Sequence, residues 1–74
     1  MFQLISDNSG FFSEATVRLS TVSMPKLVHK YLDYKYESCL FGDKDSDVVA
    51  TYKTLAEAVI GHNRLAKQFG LKEV

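Results

Sequence analysis

The chain has 74 residues, the length of one small domain, and its nine basic and nine acidic side chains leave no net charge. Charge balance excludes the global positive field with which many proteins attract nucleic acids or anionic membranes. One cysteine excludes an intramolecular disulfide, and no Cys/His set has zinc-site spacing. We therefore expect a single domain over 1–74 with a small core, which self-association would reinforce.

The first third of the sequence predicts a β-hairpin. A short apolar strand at 2–5 precedes four turn-forming residues at 7–10, which predict the hairpin loop. From 11 to 20 apolar and polar residues alternate, as in a half-buried strand. Because the apolar phase shifts after Leu19, a bulge or a strand end is expected near Thr21.

The middle of the chain predicts two further strands. Pro25 and the helical spacing of the apolar residues after it favour one or two helical turns at 25–31, while the same segment also suits a long connection between strands. Aromatic residues favour a strand at 34–41, and a second strand follows at 48–52. The turn at 42–47 has alternating aspartates, but it lacks the glycine and the glutamate of a calcium loop, so a solvated turn is expected.

Residues 54–69 predict an amphipathic helix with a defined start and end. Thr54 and Glu57 form a capping box, and Gly70 supplies the left-handed residue after the last turn. The core-facing stripe contains Leu55, Ala58, Val59, His62, Leu65, Ala66 and Phe69. The predicted fold is α+β, with a small antiparallel sheet of about four strands and this helix packed on one face.

The helix places His62 in the middle of its apolar stripe. A buried imidazole needs a hydrogen-bond partner, so His62 is a satisfied histidine, a ligand-binding group or a pH-sensitive switch. His29 lies in another element, and no serine or cysteine has an activating context. Because no catalytic set assembles, we expect a non-enzymatic protein without a metal or cofactor.

Two surfaces are candidates for binding. The first is the outer helix face, where an exposed isoleucine lies beside a glycine that permits close approach; it contains Ala56, Ile60, Gly61, Asn63 and Lys67. We expect a homodimer through this face, with the uncovered sheet face as the rival interface. The second is a patch of cations and tyrosines suited to phosphates and bases; it contains Lys26, His29, Lys30, Tyr31, Tyr34 and Lys35.

Two short motifs carry a resemblance to a known family. They are the strand sequence YESCLF at 36–41 and a helix start with Tyr52, Thr54, Glu57, Ala58, Gly61 and His62. Both are similar to a family of small bacteriophage and prophage proteins with a YET-hydrophobic-hydrophobic-F strand and a Y-x-T-x-x-E-A-x-x-G-H helix start. The resemblance covers 34–69 and departs at 25–35, where Lys/Tyr-rich sequence replaces a Gly/Pro-rich connection. It implies a phage origin and no particular activity.

Small size, the missing catalytic set and apolar groups on more than one face favour a protein that binds and inhibits a host protein, such as a defence-system component. One alternative is a sponge that sequesters a nucleotide signal at the cation–tyrosine patch, and another is a minor virion component. Nucleic acid is not an expected partner. Without a signal peptide or a long apolar run, the expected location is the bacterial cytoplasm and no membrane is involved.

Overall fold

The fold is an antiparallel sheet with one helix across one of its faces. A computed structural model describes residues 2–12 and 14–73, and within them the α+β prediction is confirmed. The elements in chain order are β1 (Gln3–Phe12), β2 (Ala15–Ser23), a 3-10 turn (Lys26–Val28), β3 (Tyr36–Phe41), β4 (Ser46–Tyr52), α1 (Leu55–Phe69) and β5 (Lys72–Glu73). The strand order across the sheet is β4-β3-β2-β1-β5.

Strand β1 runs through the segment predicted to be the hairpin loop, so that prediction is wrong. Residues 7–10 pair with 17–20 of β2, because Asp7 and Asn8 find specific partners there that outweigh their preference for turns. The chain reverses instead between Phe12 and Ala15, where Glu14 has a positive φ of 65°. Phe11 therefore belongs to β1 and not to the second strand.

The irregularity expected near Thr21 lies in the neighbouring strand. The register shifts between Leu4 and Ser6 of β1, which pair with Val22 and Thr21, while β2 continues unbroken to Ser23. The apolar phase changes in β2 because Val22 faces the side of the sheet that the helix leaves uncovered. The change of phase in the sequence therefore reflects apolar side chains on both faces of the sheet and not an inversion of the strand.

The 25–31 segment forms one 3-10 turn, Lys26–Val28, within a connection closed by a hydrogen bond from Met24 N to Lys35 O of 2.8 Å. Of the one or two helical turns expected, one is present as a 3-10 turn, and the rest of the segment is the connection between strands that was the alternative interpretation. A fifth strand was not predicted: β5 pairs with β1 through Asn8 and Ser9. Two residues carry too little pattern to indicate a strand.

The helix ends are confirmed. Thr54 Oγ1 accepts the Glu57 amide at 3.2 Å, which satisfies one of the free N–H groups of the first turn. At the other end Gly70 has a φ of 69°, and Leu71 N donates to Ala66 O at 2.8 Å. This closure turns Leu71 back into the core.

The hydrophobic core lies between the last turns of α1 and the strands β2 and β3. It contains Val17, Leu19, Ala66 and Leu71, with Leu40, Leu65 and Phe69 packed around them. The predicted helix stripe is confirmed for Ala58, His62, Leu65, Ala66 and Phe69 and is wrong for Leu55 and Val59. Leu55 borders an open groove beside the 3-10 turn, and Val59 is also exposed, so neither side chain belongs to the core.

Candidate functional site

A chain of hydrogen bonds runs beneath the helix and joins it to four strands. The His62 ring contacts Asn8 of β1 through Nε2 at 2.7 Å and Thr21 of β2 through Nδ1 at 2.6 Å. Thr21 Oγ1 lies 2.5 Å from Ser38 Oγ of β3, which in turn lies 2.9 Å from the Tyr52 hydroxyl of β4. Asn8, Thr21, Ser38 and His62 are buried, so this polar network is part of the interior.

The neighbours of Asn8 determine the orientation of its side-chain amide. With Oδ1 towards His62, the amide nitrogen would face the Glu73 N–H donor, and Oδ1 would also lie beside a backbone carbonyl. In the opposite orientation, Nδ2 donates to His62 Nε2 at 2.7 Å and to Asp7 O at 3.2 Å, while Oδ1 accepts from Glu73 N at 3.2 Å. Only this second arrangement satisfies every donor and acceptor, so we adopt it.

The Asn8 orientation sets the direction of every other bond in the network. His62 Nε2 must be the acceptor, so the neutral ring carries its hydrogen on Nδ1 and donates to Thr21 Oγ1. The Thr21 hydroxyl then donates to Ser38, and the Ser38 hydroxyl donates to Tyr52. Within the described residues no buried side-chain nitrogen or oxygen lacks a partner.

His62 is therefore a buried, satisfied histidine and not a ligand-binding group. Burial lowers its pKa below the usual 6.5, and the nearby Asp7 carboxylate only partly opposes this effect. The ring is fully buried and both its nitrogens are engaged, so it has no free position for a substrate or a metal.

Gly61 faces the chain's own sheet. A methyl group at this position would lie 2.2 Å from Cε1 and 2.7 Å from the hydroxyl oxygen of Tyr52. The close approach predicted for a partner at Gly61 is therefore already made by Tyr52, whose hydroxyl is the last member of the network. The other four residues of the predicted helix face, Ala56, Ile60, Asn63 and Lys67, are exposed as expected.

The residues of the cation–tyrosine patch lie in separate parts of the structure. Lys26 and His29 line a groove of about 410 Å³ together with Tyr36 and Leu55. The ammonium of Lys30 lies over the exposed ring of Tyr31, 5.6 Å from its centre. The hydroxyl of Tyr34 lies 3.4 Å from Glu37 Oε2. The backbone N–H of Lys35 donates to Tyr52 O at 3.0 Å.

The side of the sheet opposite the helix is uncovered, and its centre is apolar. We call it the open face and define it by Leu4, Arg18, Ser20, Val22, Glu37, Cys39, Phe41 and Val48, with Phe2 at its margin. Leu4, Phe41 and Val48 are 54%, 43% and 55% exposed. Two adjoining depressions of about 210 and 400 Å³ share Ser20, Val22 and Phe41.

Arg18, the positive charge of the open face, is neutralised within the chain by Asp7. Arg18 pairs with Asp7, and its Nε lies 2.8 Å from both carboxylate oxygens. This hydrogen bonding from Arg18 lowers the pKa of Asp7, and Ser20 also donates to the same carboxylate at 2.9 Å. Partial burial, reinforced by Glu37, raises the pKa of the Cys39 thiol, so the cysteine remains protonated at neutral pH.

Comparisons with models of known protein families, with curated proteins and with solved structures find no match. Within residues 2–12 and 14–73, no cluster of three or more His, Cys, Asp or Glu side chains is arranged to hold a metal ion. Over the same residues, no helix has both the length and the hydropathy to span a membrane.

The sequence did not indicate that Leu4 and Val22 belong to the open face. Nor did it indicate that Asn8, Thr21 and Ser38 belong to a buried network. The even-numbered apolar positions after Leu19 were the available signal for the open face. The network had no comparable signal, because Asn, Thr and Ser are typical of turns and exposed strand positions.

Proposed function

We propose that the protein is a non-enzymatic binding protein that docks on a protein of the bacterial host through the open face and thereby inhibits it. The observation that supports this function is the apolar composition of the open face. A sheet covered on one side normally points polar side chains outward. Here the outward positions include Val22, Cys39, Phe41 and Val48, and contiguous exposed apolar surface is typical of protein contact sites.

The charges of the open face favour a protein partner over a nucleic acid. Arg18 is held by Asp7, and Glu37 adds a negative charge, so the face offers poor contacts to phosphate groups. Exposed phenylalanines around small polar groups instead match the usual composition of protein interfaces. The resemblance of 34–69 to small phage and prophage proteins favours a host protein as the partner.

The geometry of the reactive side chains also favours binding over catalysis. The His62 ring is sealed in the interior with both nitrogens bonded. The Cys39 thiol has a raised pKa, which reduces the thiolate needed for nucleophilic attack. Neither group has the exposure and activation that a catalytic residue requires.

Affinity capture from host lysate tests this function when wild type is compared with a variant of the open face. We expect the wild-type chain to retain one host protein at near-stoichiometric yield. Phe41→Asp should reduce its recovery about tenfold or more, because an unpaired charge would be buried at the contact. Quantitative mass spectrometry of the retained protein gives the ratio.

Leu27→Asp is the matched control, because Leu27 is an exposed apolar side chain on the 3-10 turn and lies outside the open face. It should retain the same protein at the wild-type level, and circular dichroism should show that both variants are folded. Equal recovery by Phe41→Asp and wild type would contradict docking through the open face. Absence of any specifically retained protein would contradict the proposed function itself.

A nucleotide-binding function is the second candidate, supported by the groove beside the 3-10 turn. Lys26 supplies a positive charge and His29 an imidazole at its rim, while Tyr36 and Leu55 supply an aromatic and an apolar wall. A nucleotide at a hundred times its Kd would add about 2.7 kcal/mol of stability. Thermal-shift screening should show such a rise in stability for wild type and for the control variant Lys44→Glu, and the rise should be lost in Lys26→Glu. If no linear or cyclic nucleotide shifts the melting temperature of wild type, this function is excluded.

We also propose that the protein forms a homodimer through the outer helix face. Ile60 is 56% exposed, and Leu55 and Val59 extend the exposed apolar surface along the helix. Ile60→Glu should convert the dimer to a monomer in light scattering at high micromolar concentration, because charges would meet across the two-fold axis. A monomeric wild-type protein would contradict this proposal, and a dimer that survives Ile60→Glu would favour an interface at the open face.

A further inference from the structure

The Asn8 amide connects the buried imidazole to the last strand of the sheet. Its Nδ2 donates to His62 Nε2, while its Oδ1 accepts the backbone N–H of Glu73. Glu73 and Lys72 make up the whole of β5, and they pair with Asn8 and Ser9. With so short a ladder, the side-chain bond from Asn8 is a substantial part of what holds β5 at the sheet edge.

We propose that protonation of His62 releases β5 from the edge of the sheet. A protonated ring carries a hydrogen on Nε2, which points at the Asn8 Nδ2 hydrogen that the neutral ring accepts. Turning the amide over restores an acceptor for Nε2, but it sets Nδ2 against Glu73 N–H and Oδ1 against Asp7 O. The first of these contacts joins two donors across β1 and β5, so protonation of His62 disfavours the pairing of β5, whereas the second lies within β1 and does not depend on β5.

The groups that face His62 from each packed element are mostly uncharged. Strand β1 contributes Asn8 and the carboxylate of Asp7, whose attraction favours protonation. Strands β2, β3 and β4 contribute hydroxyl groups, those of Thr21 and Ser38 and, at the far end of the network, the phenol of Tyr52. Strand β5 contributes the backbone N–H of Glu73, whose side chain is exposed.

The direction of the pH dependence follows from the Asn8 contact, and burial of the ring acts in the same sense. Burial outweighs Asp7 and lowers the His62 pKa, and the Nδ2 donor of Asn8 further disfavours a proton on Nε2 while β5 is paired, so the closed form binds fewer protons than the form with β5 released. Acidification therefore favours release, by up to about tenfold per pH unit until the closed form is itself protonated. Asp7 stays ionised at mildly acidic pH because hydrogen bonding from Arg18 lowers its pKa.

Nuclear magnetic resonance on the full chain tests the inference. At about pH 7.5 the ring nitrogen signals of His62 should show hydrogen on Nδ1 and none on Nε2. Between about pH 6.5 and 5 the amide-exchange protection factor of Glu73 should fall by up to about tenfold per unit. Either of two results would overturn the proposal. One is a neutral ring with its hydrogen on Nε2, and the other is a Glu73 protection factor that stays constant with pH while that of buried Leu19 falls.

Asn8→Asp is the decisive variant, because a carboxylate accepts hydrogen bonds from both Glu73 N–H and a protonated Nε2. It should raise the pH at which His62 titrates and abolish the acid-induced loss of Glu73 protection. His29→Gln, which removes the other histidine, should keep the wild-type profile. A wild-type profile in Asn8→Asp would contradict the mechanism, and if that variant does not fold, the wild-type measurements decide alone.

Discussion

His62→Ala is expected to lower the free energy of unfolding by about 3–5 kcal/mol. Truncating a large, fully buried ring leaves a cavity, and it also leaves Asn8 and Thr21 without their partner. A core of this size rarely supplies more than about 3–5 kcal/mol in total, so the variant should be largely unfolded at 25 °C. Urea denaturation followed by circular dichroism measures the loss.

His29→Ala is the control for the loss of an imidazole. His29 is half-buried at the protein surface, and its ring makes one hydrogen bond, of 2.8 Å, to Met24 O. Its replacement should cost only about 0.5–1.5 kcal/mol. If the two alanine variants lost similar amounts of stability, the burial and hydrogen bonds of His62 would not account for the loss in His62→Ala.

Gly61→Ala is expected to destabilise the protein by about 1–3 kcal/mol, against the trend of helix propensity. In an exposed helix interior the same change would stabilise by about 0.5–1 kcal/mol, because glycine is a poor helix former. Here the added methyl group would lie 2.2 Å from the Tyr52 ring, which must move and take its hydroxyl away from Ser38. Chemical denaturation of the variant gives the sign directly.

A double-mutant cycle separates the steric effect at Gly61 from the propensity effect. In a Tyr52→Ala background the ring is gone, so Gly61→Ala should become neutral or slightly stabilising. Asn63→Ala, at an exposed position of the same helix, should be within about 0.5 kcal/mol of wild type. If Gly61→Ala lowers the free energy of unfolding equally with and without the Tyr52 ring, the contact with Tyr52 is not the cause of the destabilisation.

The helix could be predicted from sequence because its signals are local. Thr54, Glu57 and Gly70 act within one turn of their own positions, and the Thr54 cap on the Glu57 amide and the closure at Gly70 are those that the spacing indicates. The Glu57 carboxylate differs from the expected capping box, because it accepts from the Thr54 hydroxyl at 3.0 Å. The exposure of two residues of the stripe could not be predicted in this way. Leu55 and Val59 share the spacing of the buried residues, but exposure depends on how far the sheet extends beneath them.

The hairpin was misplaced because turn propensity is only a weak local preference. Asp7, Asn8 and Gly10 are turn formers in isolation, yet here Asp7 gains Arg18 and Asn8 gains His62, 54 positions away in the chain. Such long-range partners leave no periodic trace in the sequence. Gly61 was assigned to a free surface for another reason: its partner, Tyr52, lies on the strand directly before the helix, and helical spacing does not indicate a side chain that reaches under the helix from that strand.

The two faces of the sheet were predictable in part. Alternation in 34–41 placed Cys39 and Phe41 on a second, partly covered side, and register and neighbouring residues agree with that placement. The contribution of β1 to this face was not predictable, because the bulge between Leu4 and Ser6 decides which side chains of β1 face outward.

Cys39 offers the most direct measurement of the proposed docking, because it is the chain's only cysteine and lies on the open face. The rate of its alkylation at mildly alkaline pH should fall about tenfold or more when the purified protein is saturated with the host protein that it captures. A reporter cysteine introduced as Leu27→Cys in a Cys39→Ser background should react at an unchanged rate. An undiminished rate at Cys39 in the saturated complex would contradict binding through the open face.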